Sequence, residues 1–128
     1  MRAASLERAS EAWSGSPAVA LVVGDVSAPG LGLDEADRAG LAGVDHVVHL
    51  AALYDVTADD ETSVLANVEG TRNVIGLAGE LGAGCLHHVS SVAVAGDYRG
   101  RFTEEMFDAG QRLATPYHRT KFESERLV

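Results

Sequence analysis

The chain has 128 residues, 46% of them apolar, with 14 glycines. That is the size of one ordinary domain with material for a packed core, which excludes global disorder and leaves no room for separate cofactor and substrate domains. Ten basic against 19 acidic side chains give a formal charge of −9, a sign that repels a phosphate backbone or an anionic bilayer, so nucleic acid and membrane are not expected partners.

From the amino terminus, Leu6, Ala9 and Trp13 recur at helical spacing and Gly15, Ser16 and Pro17 interrupt them, which predicts a short helix over residues 2–13. This stretch has no apolar core of the kind a secretory signal needs. Ala18 to Val23 is the longest apolar run, far short of the roughly 20 residues that cross a bilayer. Closed by Gly24, it reads as a strand buried on both faces, as do Val44 to Leu50 and Leu86 to Val89. Between them, Asp34 to Ala42 and Glu61 to Leu81 read as helices, the second with a stripe of Val64, Val68, Ile75 and Ala78. Near the carboxyl end, Thr115 can cap a helix that has Pro116 at its first position and runs to the end of the chain. Strand and helix alternate, so the fold class is α/β with a parallel sheet and right-handed crossovers.

Tyr117 and Lys121 lie four apart on the last helix and so share a face. An ammonium beside a phenol favours the phenolate, which suits proton transfer. Ser90 and Ser91 end a buried strand and are followed by Val92-Ala93-Val94-Ala95-Gly96. In an open parallel sheet, ligands sit beyond the carboxyl ends of the strands, so a hydroxyl there can hold a substrate oxygen. Taken singly, a core tyrosine with a surface lysine, or a serine closing a strand, is the commoner meaning of each pattern. Metal chemistry is not expected. His46 and His49, three apart on one strand, point to opposite faces, as do the adjacent His87 and His88. Cys85, the only cysteine, cannot form an internal disulfide and reads as a small core residue. The cytoplasm is the expected compartment.

With these residues in order, the chain resembles the extended short-chain dehydrogenase/reductase family, which includes nucleotide-sugar epimerases and dehydratases and thioester reductases. Gly24-Asp25-Val26 is similar to that family's strand-end pair, and His49-Leu50-Ala51-Ala52 to the segment that lines the cofactor. Asn67-Val68-Glu69-Gly70-Thr71 matches the helix that supplies an active-site asparagine. His88-Val89-Ser90-Ser91 with Gly96 matches the catalytic-serine segment, and Tyr117-His118-Arg119-Thr120-Lys121 the tyrosine-lysine pair.

The resemblance implies a partial Rossmann-type, doubly wound parallel sheet, with residues 1–128 as a partial NAD(P)-binding domain truncated at both ends. It implies NAD or NADP as cofactor and a small-molecule substrate, and it allows a homodimer in a full-length parent. Counted back from Gly96, Ser91 takes the catalytic serine's place, with Ser90 in reserve. Tyr117 would exchange the proton, Lys121 would hold the ribose hydroxyls, and Asn67 would hold its helix or a water. Asp25 would meet the adenine, with Val26, Ala51 and Ala52 beside the cofactor. Gly30-Leu31-Gly32 resembles a feature of the thioester-reductase branch, and Arg2 falls near where some members carry an arginine for the NADP phosphate.

The strand order of such a sheet is 3-2-1-4-5-6, and the strands found here correspond to the third, fourth and fifth. The glycine-rich turn that cradles the pyrophosphate is not found, and residues 18 to 23 would lack a native neighbour. Two other readings compete: a catalytically inactive nucleotide-binding or regulatory module of the same fold, and an unrelated flavodoxin-like module. The joint presence of Ser91, Tyr117 and Lys121 argues against both. Because the phosphate cradle is missing, the 128-residue chain should bind NAD(P)H weakly or not at all; calorimetric titration giving micromolar affinity would contradict this.

Overall fold

The structure, a computed structural model, describes residues 8, 11–13, 15–16, 18–55 and 58–128. Of the helix expected over residues 2–13, Arg8 and residues 11–13 are helical, and Trp13 is exposed; Leu6 and Ala9 lie outside the described residues, as does Arg2.

Helix α1, Glu35–Leu41, begins at Asp34, whose carboxylate accepts from the Asp37 amide at 2.8 Å. Strand β1, His46–His49, follows. The chain then returns through a helical crossover made of α2, Asp60–Ser63, a π-helical segment, Val64–Glu69, and α3, Gly70–Glu80. Asp59 caps the start of this crossover by accepting from the Thr62 amide at 2.7 Å. Gly82, at φ 68°, closes its end, a left-handed position that glycine adopts without a Cβ clash. Strand β2, Cys85–His88, leads into a 3₁₀ turn, Val92–Ala95, and after a long loop the chain ends in α4, Pro116–Leu127. Thr115 caps α4, its hydroxyl accepting from the His118 amide at 3.2 Å, with Pro116 at the first position as the sequence predicts.

Strands β1 and β2 pair in parallel with His46 opposite Cys85, Val47 opposite Leu86, Val48 opposite His87 and His49 opposite His88. They are the neighbouring fourth and fifth strands of the expected order. The register continues past the strands through Gly84 N–H to Val44 O, 3.2 Å, and Val89 N–H to His49 O, 3.1 Å.

The helical crossover and α4 cover one side of this pair. Val68, Val74, Leu77, Ala78, Val94 and Phe122 are buried there together with Asn67, Thr71, Thr120, Lys121 and Ser124. The expected stripe is therefore only partly in phase, since Val68 and Ala78 are buried but Val64 is exposed and Ile75 only half-buried. A stripe drawn at 3.6 residues per turn does not allow for the wider π turns between residues 64 and 69, which rotate the faces before and after them. The loop before α4 is fastened to it by Phe107 stacked on Phe122 at 4.3 Å, with the Arg126 guanidinium 4.9 Å from the Phe122 ring. The loop also turns at Gly96, with φ 52° and ψ −129°, where a Cβ would lie 2.5 Å from the Arg112 carbonyl oxygen.

Four further expectations are corrected. Strands β1 and β2, expected to be buried on both faces, expose His46, Val48, Cys85 and His87 on one of them. Residues 18 to 23 are exposed and form no strand, because a lone strand with no ladder to join satisfies neither its amides nor its apolar faces. Between this segment, β1 and α3 lies an open apolar groove of about 340 Å³, lined by Val22, Leu33, Val44, Val47, Leu77 and Leu81. Cys85 is exposed rather than part of the core. The histidines do alternate along each strand, yet the parallel pairing places His46, Cys85 and His87 on one face of the sheet, with their donor atoms within 4.8 Å of one another.

Candidate active site

The carboxyl ends of β1 and β2 lie on the same edge, and the residues singled out from the sequence gather there by a chain of contacts. Lys121, on the second turn of α4, is 3% exposed, and its Nζ donates to the Val89 carbonyl just beyond β2 at 2.9 Å. Beside it Ser90 gives its hydroxyl proton to Glu125, also on α4. These two bonds bring α4 to the segment that carries Ser91. The Ser91 Oγ accepts from the Ala93 amide at 3.2 Å as the cap of the 3₁₀ turn, which leaves its own proton to donate. Ser90 has spent its proton on a carboxylate, so of the pair it is Ser91 that keeps a hydroxyl proton to donate.

Tyr117 is half-buried on the first turn of α4, and Tyr54 meets its ring edge-on at 4.8 Å. Tyr54 belongs to the extended segment after β1 that begins with Ala51 and Ala52, both exposed. Asn67 holds that segment. Its Oδ1 accepts from Leu53 N–H at 2.7 Å, and its Nδ2 donates to Leu53 O at 3.2 Å and to Thr120 Oγ1 at 2.9 Å. Both amide protons are committed inside the protein, so Asn67 is a positioning residue that locks the β1 loop to α4. It sits within the π turns, whose wider spacing sets the amide between the two.

Thr71, Thr120 and His49 complete this network and were not found from the sequence. Thr71 gives its hydroxyl proton to the Asn67 carbonyl at 2.7 Å and lies 3.0 Å from His49 Nε2. With that proton spent, His49 must be the donor, which assigns a proton to Nε2. Thr120 in turn donates to the Tyr117 carbonyl at 3.3 Å. Hydrogen bonds thus run from β1 through α3 and the π segment to the backbone of Tyr117. The sequence signal was the spacing of Asn67 and Thr71, which are four apart on a helix and share a face.

The turn at Asp25 and Val26 is placed separately. The Asp25 amide donates to Leu31 O at 2.7 Å and its carboxylate accepts from Ser27 N–H at 3.0 Å. Val26 lies against Gly70 at the start of α3, and its carbonyl accepts from Asn73 Nδ2 at 2.9 Å. This anchors the turn to the crossover helix.

Burial makes the interior side of the sheet hostile to added positive charge. It holds the Lys121 ammonium below its ordinary value of 10.5, an effect that Glu125 opposes. Burial, then the proximity of His88 and Lys121, push His49 below 6.5. Burial and then Lys121 do the same to His88, against a weaker pull from Glu125. The His88 ring nitrogens are both buried without a hydrogen-bond partner.

The family model for NAD-binding male sterility proteins matches residues 2–128. The chain belongs to that family, within the extended short-chain dehydrogenases/reductases. A 4-hydroxy-2-methyl-3-oxo-4-farnesyl-3,4-dihydroquinoline-1-oxide ketoreductase of Stigmatella aurantiaca is 35% identical over 92 residues, 71% of this chain and 28% of the relative. The terminal R domain of the myxalamid PKS-NRPS biosynthetic pathway superposes with a TM-score of 0.72 at 31% identity, over 83% of this chain and 28% of that one. A dTDP-glucose 4,6-dehydratase of Streptomyces venezuelae with bound NAD gives 0.76 at 30% identity, over 94% and 36%. The chain therefore spans about 28% of the length of the ketoreductase. These neighbours share the doubly wound α/β architecture of which β1, β2 and their helices are a part. Among the described residues, no helix is long and apolar enough to cross a membrane.

Two outcomes follow from the site. Replacing Asn67 by Ala removes the partners of the half-buried Leu53 backbone groups and one partner of the buried Thr120 hydroxyl, and should lower stability by about 2–3 kcal/mol in urea denaturation; an unchanged midpoint would remove its positioning role. For His49 and His88 the folded pKa lies below the unfolded 6.5, so the unfolded chain binds more protons. Stability is then full above pH 6.5 and declines as the pH falls through the depressed folded values. His88→Phe, which removes the unpartnered nitrogens, should blunt that decline and raise stability at neutral pH by about 1 kcal/mol. A pH series of thermal melts in which the variant declines as steeply as the parent would contradict this.

Proposed function

We propose that the chain carries the catalytic segment of an NAD(P)-dependent carbonyl reductase acting on a ketone, aldehyde or acyl thioester. The observation that carries this reading is the buried Lys121 ammonium bound to Val89 O at the end of β2, one turn after Tyr117 and beside the segment bearing Ser91. An ammonium in a buried setting is costly unless a partner or a task requires it there. The similarity to a ketoreductase and to a terminal R domain, together with Gly30-Leu31-Gly32, favours reduction over epimerisation.

The residues present fit a nicotinamide dinucleotide. The small Ala51 and Ala52 are exposed beyond β1, where a ligand can approach the backbone closely, and the Asp25 carboxylate sits at a turn anchored to α3. Lys121 uses one of its three N–H donors on Val89, leaving two for ribose hydroxyls and the phenol oxygen. When bound, the dinucleotide supplies the hydride. Ser91 donates its free hydroxyl proton to the carbonyl oxygen and orients it. The Tyr117 phenol transfers its proton to that oxygen as negative charge develops there, and the neighbouring ammonium stabilises the phenolate left behind. Asn67, through Thr120 and Leu53, keeps Tyr117 and the Ala51–Ala52 segment in fixed relation.

The test is made in a polypeptide that carries these residues with flanking sequence of the length found in its relatives. Tyr117→Phe should lower the rate of NAD(P)H-dependent carbonyl reduction by about 10²–10⁴-fold while leaving cofactor affinity intact. Lys121→Met should weaken both rate and affinity. Turnover of Tyr117→Phe at the parent rate would overturn the assignment.

A further inference from the structure

The side of the sheet turned away from α3 and α4 bears a cluster that the reductase chemistry does not use. His46, Val48, Cys85 and His87 share that side by the register of the parallel pair, and all four are exposed. His46 Nδ1 lies 3.1 Å from His87 Nε2, and with the Cys85 sulfur the three donor atoms are all within 4.8 Å of one another. We propose that His46, Cys85 and His87 bind a divalent cation of the zinc class across the two strands.

The spacing matches the chemistry. Tetrahedral zinc with Zn–N of about 2.0–2.1 Å and Zn–S of about 2.3 Å places two ligating nitrogens about 3.3–3.4 Å apart, and nitrogen and sulfur about 3.5–3.6 Å apart. The two imidazoles are already close to that separation. In the metal-free chain one ring donates a hydrogen bond to the other, and a cation replaces the shared proton. The thiol needs only side-chain rotation to complete the set, because its Cα is held opposite His46. That placement is rigid: Cys85 N–H donates to Asp45 O at 2.9 Å, and Gly84 N–H to Val44 O at 3.2 Å. Two imidazoles and a thiolate select zinc over magnesium or calcium, which take oxygen ligands. Since all three side chains face solvent, the fourth position is open to water or an external ligand, as in zinc sites that are not purely structural. The site is built from strand positions rather than loop residues, so the chain need not reorganise to form it.

Cobalt(II) is the probe, added to the reduced 128-residue chain. The expected result is a thiolate-to-cobalt charge-transfer band with the intense visible bands of tetrahedral cobalt, saturating at one ion per chain and lost on adding zinc. Cys85→Ser should abolish the charge-transfer band. His46→Ala and His87→Ala should each weaken binding by about 100-fold or more, since loss of an outer-shell partner alone costs 10–100-fold. His88→Phe, on the opposite side of the sheet, should bind as the parent does. A second measurement needs no variant: zinc should slow alkylation of the Cys85 thiol by at least tenfold, read by mass spectrometry. Absence of the charge-transfer band, a band that survives both histidine substitutions, or a thiol that zinc leaves unprotected would each overturn the proposal.

Discussion

The register between β1 and β2 is the constraint on which the rest of the molecule depends. Slipping β2 by one residue would exchange its faces, sending His88 outward and Cys85 and His87 inward, away from His46. The register is held by ladder bonds that continue beyond the strands, and by Gly84, where a Cβ would lie 2.9 Å from Asp45 O and only a bare backbone fits. One side of the pair consequently meets helices and the other meets solvent. The same register brings the carboxyl ends of both strands to one edge, where Lys121 binds the Val89 carbonyl in the segment that leads to Ser91.

On the helix side the packing is unusually polar. Asn67, Thr71, Thr120 and Ser124 are buried alongside Val68, Val74 and Phe122, and each hydroxyl or amide is satisfied by a neighbour. Apolar contacts would glue α3 to α4 with tolerance for sliding, whereas directional hydrogen bonds admit one alignment. The π turns serve that alignment, because they carry the Asn67 amide to the point where the β1 loop and α4 are both within reach.

Charge is arranged with equal specificity. Lys121, His49 and His88 crowd the interior side of the sheet, and burial together with the nearby Lys121 ammonium holds both imidazoles below their ordinary value. A protonated His88 would repel the Lys121 ammonium and share with it the pull of Glu125. The exposed pairs, Arg38 with Glu80 between α1 and α3 and Arg112 with Asp97 in the loop before α4, sit in water and contribute little.

The alternation of elements, the cap at Thr115, the helix beginning at Asp34 and the parallel arrangement were all legible along the chain, because periodicity, capping chemistry and turn residues act over a few positions. The ordered motifs from Asp25 to Lys121 were legible for the same reason, and they named the family. Residues 18 to 23 show the limit of such signals: their composition suits a strand, but a strand exists only where another supplies its hydrogen bonds. Val64 and Ile75 show another, since nothing in their local spacing announces π turns. The amino-acid sequence by itself determined the capped helices, the two parallel strands and the family. The tertiary structure alone decided that Asn67 is a clamp, that Ser91 rather than Ser90 has a proton to give, and that His46 meets His87, since each depends on atoms brought together from segments distant along the chain.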